Sequence, residues 1–133
     1  MTMNEKTKEM MEKAREQEQS MEGTVKSCPF RTRFHIMPPV GWINDPNGFI
    51  YYKGQYHLFY QYFPYGPRWG TMHWGHAVSK DLTQGEHVGL ALFPTKRGDQ
   101  NGCFSGSAVE KDGRMYLTYT GVRYEETDPE NIH

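Results

Sequence analysis

Polar and apolar residues follow two different patterns along the chain, and the change falls near residue 30. The first 29 residues contain no Phe, Trp or Tyr, and they hold five of the eight methionines among closely spaced charged residues. Within this part, residues 4–19 consist of good helix formers without Gly or Pro. We therefore predict a charged helical extension over residues 1–29, with a helix that Gly23 and Pro29 end.

The predicted helix has only a thin apolar stripe, formed by Met10, Met11 and Ala14. It allows two interpretations, a helix that binds a partner or a solvated helix that packs loosely on the rest of the protein. We favour the second, because helices covered with alternating charges are usually exposed surfaces. We assign no chemistry to this segment.

From residue 30 onward the pattern changes to short β-branched and aromatic runs separated by glycine-containing turns. A hairpin is predicted twice, first around a turn at Lys53 and Gly54 and then around a turn at residues 111–114. The predicted strands are residues 48–52, 55–61, 73–79, 90–93, 104–109 and 115–119. The fold class is therefore all-β, and a hairpin whose turn glycines are 59 residues apart suits either propeller blades or a sandwich.

Composition and charge exclude several classes of protein. With 15 Lys and Arg against 16 Asp and Glu, the net charge of −1 argues against a nucleic-acid-binding protein. No apolar run approaches the ~20 residues that span a bilayer, and the charged start does not match a secretory signal peptide. Two cysteines, Cys28 and Cys103, are too few for a disulfide scaffold, so we expect free thiols and a cytoplasmic protein.

The most unusual segment is residues 35–48, which ends in Asn-Asp-Pro-Asn-Gly. Asp-Pro-Asn-Gly favours a turn, and it precedes a predicted strand, so we expect Asp45 at the entrance of that strand. A carboxylate flanked by Trp42 and Asn44 can act as a nucleophile toward a sugar carbon while the aromatic face covers the ring. Taken alone, the pentapeptide is better interpreted as a simple tight turn, because such turns are common.

Other polar groups lie among aromatic residues in the same part of the chain. Gln61 stands in a run of Phe and Tyr, where its amide can bind sugar hydroxyls. Four histidines, at positions 35, 57, 73 and 76, suggest a metal site. However, His73 and His76 are three residues apart in a predicted strand and would point to opposite faces. We therefore predict neither a metal site nor a cofactor.

Four motifs occur along the chain in an order that resembles glycoside hydrolase family 32, the β-fructofuranosidases, which include invertases, sucrose-6-phosphate hydrolases, inulinases and levanases. The matching segments are residues 35–48, 60–64, 69–82 and 102–108. The resemblance covers about residues 34–122. It implies the first blades of a five-bladed β-propeller, preceded here by the short N-terminal helix, with the site in the central funnel.

The resemblance also implies the chemistry. Asp45 would be the catalytic nucleophile, and the pocket for the terminal fructosyl unit would be lined by Trp42, Asn44, Gln61, Trp69, Phe104 and Ser105. The family reaction is the hydrolysis of terminal non-reducing β-D-fructofuranosides, such as sucrose, sucrose 6-phosphate or short fructans, with retention of configuration. A small sugar is therefore the expected partner, with no nucleic acid and no membrane.

The sequence departs from the family pattern at two points. The later Arg-Asp-Pro and Glu-Cys motifs, which carry a transition-state-stabilising Asp and the acid/base Glu, are not found here. We expect residues 30–133 to form about two blades of an incomplete catalytic propeller that lacks its acid/base and ends in the charged stretch 125–130. Gly85 stands where the family usually has a Trp, which would loosen the first blade.

Two alternatives to an enzyme fragment of this kind remain open at this point. The chain could be a non-catalytic fructoside-binding module that keeps the aromatic pocket. It could also belong to a related five-bladed propeller hydrolase with a different sugar specificity, although the run from Trp42 to Gly48 argues against this. For the 133-residue chain alone we predict no appreciable hydrolysis.

Overall fold

The computed structural model describes residues 5–124 of the chain. In this part, one α-helix is followed by six β-strands, with a short 3₁₀-helix between the fourth and the fifth strand. The elements are α1 (Glu5–Lys26), β1 (Trp42–Tyr52), β2 (Gln55–Phe63), β3 (His73–Ser79), β4 (Glu86–Leu92), the 3₁₀-helix Arg97–Asp99, β5 (Gly102–Lys111) and β6 (Arg114–Val122).

The strands form two antiparallel sheets. The first sheet has the order β1-β2-β3-β4, and the second consists of β5 and β6. This arrangement confirms the prediction of an all-β fold that follows an N-terminal helix and builds the opening blades of a propeller. Within the described residues the sheets do not close into a ring. The predicted charged stretch 125–130 lies outside the described residues, and the division at residue 30 stays a prediction.

Both predicted hairpin turns are present. Lys53 (φ 47°) and Gly54 (φ 82°) join β1 to β2, and Asp112 (φ 53°) and Gly113 (φ 71°) join β5 to β6. Two consecutive residues with positive φ are the signature of the type I′ turn, whose twist matches that of the flanking strands. The two-residue turns therefore set the register of both hairpins.

The expectation of a turn at residues 45–48 is wrong. Strand β1 begins at Trp42 and runs through this segment, pairing Ile43 with Tyr62 and Pro46 with Tyr60 of β2. Asp45 therefore lies inside a strand and not at its entrance. The turn-forming residues are accommodated as bulges of the strand, because a bulge also tolerates a missing N–H and a positive φ.

The first sheet is covered on both faces, since alternate residues of β2 point in opposite directions. On one face Phe59 packs with Trp74 and with Cys103 of the second sheet. On the other face Tyr60 and Tyr62 pack together on the side of α1. These side chains are at most 2% exposed, and burying one large apolar side chain contributes about 1.5–3 kcal/mol.

Helix α1 is longer than predicted. It continues to Lys26, so the prediction that Gly23 helps to end the helix is wrong, and Asn4, where the predicted helix begins, lies outside the described residues. An interior Gly costs about 1 kcal/mol relative to Ala, a penalty that the i,i+4 ion pair of Glu22 with Lys26 partly offsets. No helix in the described part of the chain is long and apolar enough to cross a bilayer.

The helix makes specific contacts with the first sheet. Ala14 is 1% exposed, and the hydroxyl of Tyr62 donates a 2.8 Å hydrogen bond to Oε1 of Glu18. The ammonium group of Lys13 lies 5.7 Å from the centroid of the Tyr65 ring. The helix is therefore packed more closely than the loose, solvated arrangement that the sequence indicated.

Candidate active site

The conformation of Asp45 is set by an irregularity of β1. Because Ile43 pairs with Tyr62 and Pro46 pairs with Tyr60, Asn44 and Asp45 together stand opposite the single residue Gln61. Two residues facing one define a β-bulge, which bends the strand and changes the direction in which a side chain points. The bulge leaves the side chain of Asp45 exposed to solvent.

A second bulge follows immediately in the same strand. Asn47 pairs with Phe59 and Ile50 pairs with His57, so Gly48 and Phe49 face one residue of β2. Gly48 has φ 50°, a conformation that costs little for glycine. A Cβ at this position would lie 3.0 Å from the Phe59 ring and 3.2 Å from Ala108, so glycine also permits the close approach of β5 to β1.

Strand β5 carries a bulge where it meets β1. Phe104 pairs with Thr120 and Gly106 pairs with Tyr119, which leaves Ser105 as the extra residue. The hydroxyl of Ser105 donates a hydrogen bond of 3.4 Å to Oδ2 of Asp45. The predicted nucleophile and a predicted sugar-binding residue are therefore brought together from two different sheets.

Trp42 and Asn44 lie on the same strand as Asp45. The indole Nε1 of Trp42 donates a 2.9 Å hydrogen bond to Oδ1 of Asn44, and the indole ring is 36% exposed. The bond orients the Asn44 amide, and Trp42, three residues before Asp45 in the same strand, stays partly exposed. Such a ring can cover the apolar face of a sugar.

The remaining predicted site residues join the second sheet to the first. Nε2 of the buried Gln61 donates a 3.1 Å hydrogen bond to the carbonyl of Cys103. The ring of the next residue, Phe104, packs edge-to-face against Trp69, with the centroids 6.0 Å apart. Nε1 of Trp74 donates a 3.1 Å hydrogen bond to the Phe104 carbonyl. Phe104 and Trp69 are thus held as an aromatic pair near the start of β5.

One polar residue at this junction was not among the predicted site residues. Asn47 is 6% exposed, its Nδ2 donates to the carbonyl of Asp45 at 3.3 Å, and its Oδ1 accepts from the amide of Gly106 at 3.3 Å. The Asp-Pro-Asn-Gly sequence by itself predicts a turn at Asn47 and no bridging role. A buried amide can only be recognised as a bridge once β1 and β5 are placed against each other.

The acidic residue Asp99 has a structural role in the loop before β5. Its Oδ1 accepts hydrogen bonds from the amides of Thr95 (2.9 Å) and Lys96 (2.7 Å), and its Oδ2 accepts from the hydroxyl of Tyr119 (2.7 Å). The side chain is 2% exposed. These bonds occupy both of its oxygens and stabilise the loop that leads into β5, so Asp99 is unsuited to acid/base catalysis.

The histidines of β3 point in opposite directions, as predicted. The ring of His73 lies 5.5 Å from that of Tyr65, whereas the ring of His76 stacks at 4.4 Å on Phe59. Burial lowers the pKa of His73 to about 4, and burial together with the nearby His57 and His87 lowers that of His76 to about 4. The described residues contain no group of three or more His, Cys, Asp or Glu side chains suited to holding a metal ion.

One large cavity of the described structure lies away from Asp45. It has a volume of about 990 Å³ and extends between the end of α1, the segment 31–39 and the strands β2 to β4. Gly85 lines this cavity, and a Cβ at that position would lie 3.7 Å from Ile36, which is an ordinary contact distance. Position 85, where the family usually has a Trp, therefore borders the open space of this cavity.

The family model for the glycosyl hydrolases family 32 N-terminal domain matches residues 35–132, about three quarters of the chain. The chain belongs to this family. The resemblance inferred from the four motifs is thus confirmed.

Relatives in family 32 are similar in sequence and in structure. The sucrose-6-phosphate hydrolase of Zymomonas mobilis is 57% identical over 88 residues, which are 66% of this chain and 17% of that protein. The Bacillus subtilis sucrose-6-phosphate hydrolase is 48% identical over 113 residues, 85% of this chain and 24% of that protein. A Bombyx mori β-fructofuranosidase superposes with a TM-score of 0.82 and 44% identity, over 92% of this chain and 25% of that one. The chain thus spans about a fifth of the length of these relatives.

Proposed function

We propose that the full-length protein containing this chain hydrolyses terminal β-D-fructofuranosidic bonds and uses Asp45 as its nucleophile. The observation that carries the proposal is the carboxylate of Asp45 itself. It is exposed, presented by a bulge and hydrogen-bonded by Ser105 from the neighbouring sheet. It also lies in a chain that is 57% identical to a sucrose-6-phosphate hydrolase over the matched region.

In the proposed reaction, a carboxylate oxygen of Asp45 attacks the anomeric carbon of the fructosyl unit as the bond to the leaving oxygen breaks. A second carboxylic acid gives its proton to that leaving oxygen. The same group then removes a proton from water, which attacks the fructosyl ester and releases fructose and the free carboxylate with net retention. Retention requires the two carboxyl groups about 5 Å apart. We assign the second one to a part of the protein outside this chain.

The other site residues would bind the fructosyl unit. Trp42 offers an exposed aromatic face, and the edge-to-face pair of Trp69 and Phe104 offers a second apolar wall. Asn44 and Ser105 carry groups that can exchange hydrogen bonds with hydroxyls. Gln61 is only 2% exposed and uses its amide nitrogen on the Cys103 carbonyl, so we propose that it supports the pocket from below by holding the second sheet against the first.

The names of the relatives support a proposal for the substrate class. They include sucrose-6-phosphate hydrolases, a levanase from Bacillus subtilis and a raffinose invertase from Escherichia coli. Structural relatives include a Bombyx mori β-fructofuranosidase mutant in complex with sucrose and a Cichorium intybus fructan 1-exohydrolase variant in complex with 1-kestose. We propose sucrose, sucrose 6-phosphate or short fructans as substrates. We also propose a cytoplasmic location, where the free Cys28 and Cys103 would stay reduced.

The experiment compares full-length wild-type protein with the Asp45→Asn and Asp45→Ala variants on sucrose and sucrose 6-phosphate. We expect hydrolysis to be lost in both variants while the circular dichroism spectrum stays unchanged. Asp112→Asn is the matched control, because Asp112 is an exposed aspartate in the β5–β6 turn and Asn also tolerates its positive φ. Full activity of either Asp45 variant would refute the assignment.

A non-catalytic fructoside-binding module is the second candidate. It rests on the aromatic groups alone, the partly exposed Trp42 and the pair of Trp69 and Phe104, and needs no second carboxyl group. Calorimetry of the full-length protein with sucrose and fructose separates the two candidates. Binding heat without any release of fructose would support the module, whereas turnover that depends on Asp45 would support the enzyme.

A further inference from the structure

The two bulges that form the candidate active site belong to different sheets, and one buried side chain joins them. Asn47 lies two residues after Asp45 in β1, and its amide spans the gap to β5. Nδ2 holds the carbonyl of Asp45, while Oδ1 holds the amide of Gly106, the residue after Ser105. Asn47 thus connects the backbone next to the proposed nucleophile with the backbone next to its hydrogen-bonding partner.

We propose that Asn47 is a positioning residue that sets the distance between the Asp45 carboxylate and the Ser105 hydroxyl. The inference rests on the proposed function of Asp45 but concerns a residue that does not need to touch the sugar. Asn47 is 6% exposed and forms part of the junction between the two sheets, whereas Asp45 and Ser105 are exposed.

The arrangement explains why an amide suits this position. A side chain that bridges a carbonyl and an N–H must offer a donor and an acceptor at the same time. An amide does so at any ordinary pH, because it does not titrate. The residue that Asn47 binds, Gly106, is also fixed in its type. A Cβ on Gly106 would lie 1.9 Å from the carbonyl oxygen of Thr118, so β5 can bend at Ser105 only with glycine in this place.

The test uses the full-length protein with two variants, Asn47→Ala and Asn47→Asp. The aspartate has nearly the same shape and can still accept from Gly106, but it cannot donate to the carbonyl of Asp45. A misplacement of about 1 Å can cost about 10²-fold in rate. We expect kcat to fall by about 10²-fold for Asn47→Ala and at least about 10-fold for Asn47→Asp, with KM changed less than about threefold.

Asn101→Ala is the matched control. Asn101 directly precedes β5, and its Oδ1 accepts a 3.0 Å hydrogen bond from the amide of Tyr124, which follows β6, so this variant also removes a bridging asparagine at the same end of the second sheet. We expect it to lower the thermal midpoint while kcat stays within about twofold of wild type. The proposal is overturned if Asn47→Asp keeps wild-type kcat, or if Asn101→Ala loses as much kcat as the Asn47 variants.

A structural measurement keeps this proposal separate from the proposed function. If the wild-type protein releases no fructose, the proposed function fails, and crystal structures of wild type and Asn47→Asp then decide the present inference. We expect the Asp45 carboxylate to move away from the Ser105 hydroxyl by about 1 Å in the variant. An unchanged distance would refute the positioning role.

Discussion

The hydroxyl of Ser105 lies 3.4 Å from Oδ2 of Asp45, although 60 residues separate the two along the chain. Each residue occupies a bulge of its own strand, Asp45 in β1 and Ser105 in β5. Bulges occur at sites where a side chain must leave the regular alternation of a sheet. Two adjacent bulges thereby bring a carboxylate and its hydrogen-bond donor to the same place.

Replacing Ser105 by Ala in the full-length protein should lower kcat/KM for sucrose by about 10-fold. The variant loses a hydrogen bond to a charged group, worth about 1.5 kcal/mol, and 1.36 kcal/mol corresponds to a factor of ten in rate. Ser107→Ala is the control, since Ser107 is an exposed serine two residues further along β5. Equal losses in the two variants would show that the bond to Asp45 has no special role.

Replacing Glu18 by Gln should weaken the attachment of α1 to the first sheet by about 1–2 kcal/mol at neutral pH. Burial by itself raises the pKa of Glu18, but the imidazole of His87, whose Nε2 lies 3.6 Å from Oε1, and the hydrogen bond from Tyr62 hold it below its usual 4.5. The stabilisation is therefore present above pH 4.5 and is lost as the pH falls through the lowered pKa.

Thermal unfolding of the full-length Glu18→Gln variant and wild type at several pH values measures this difference. We expect the gap between the two midpoints to narrow as the pH falls below 4.5. Glu22→Gln is the control, because its ion pair with Lys26 is exposed and worth about 0–1 kcal/mol. A gap that does not change with pH would contradict the prediction.

The protein should lose stability as the pH falls from 6.5 to about 4. Burial lowers the pKa of His73 to about 4 from its usual 6.5, so in this range the unfolded chain binds a proton that the folded chain excludes. The full effect of His73 corresponds to about 3 kcal/mol. Urea-unfolding midpoints of His73→Gln should vary less with pH over this range than those of wild type, whereas the exposed His35→Gln should retain the wild-type slope.

Replacing Gly85 by Trp should raise the thermal midpoint by a few degrees. The side chain would enter the cavity of about 990 Å³ beside Ile36, and partial burial of an indole contributes about 1 kcal/mol, which moves the midpoint by roughly 2–8 °C. Gly85→Ala measures the effect of losing glycine flexibility alone. If the Trp variant is no more stable than the Ala variant, the cavity does not accept the ring.

Local sequence was sufficient to predict the all-β class and the two hairpins, whereas Asp45 became the candidate nucleophile only through the family resemblance. Lys53-Gly54 and Asp112-Gly113 form type I′ turns, in which glycine takes the second position and, in the second turn, aspartate tolerates the positive φ of the first. The strand His73–Ser79 was predicted with its observed bounds.

The same local preferences were misleading at Asp45-Pro46-Asn47-Gly48. Turn-forming residues also suit bulges, and only pairing with β2 determines which of the two is formed. The docking of Glu18 on Tyr62 and the bridge from Asn47 to Gly106 depend on packing between elements distant in sequence. Short-range backbone preferences thus predicted the elements and the chemical groups, whereas the burial and approach of distant strands determined which groups meet.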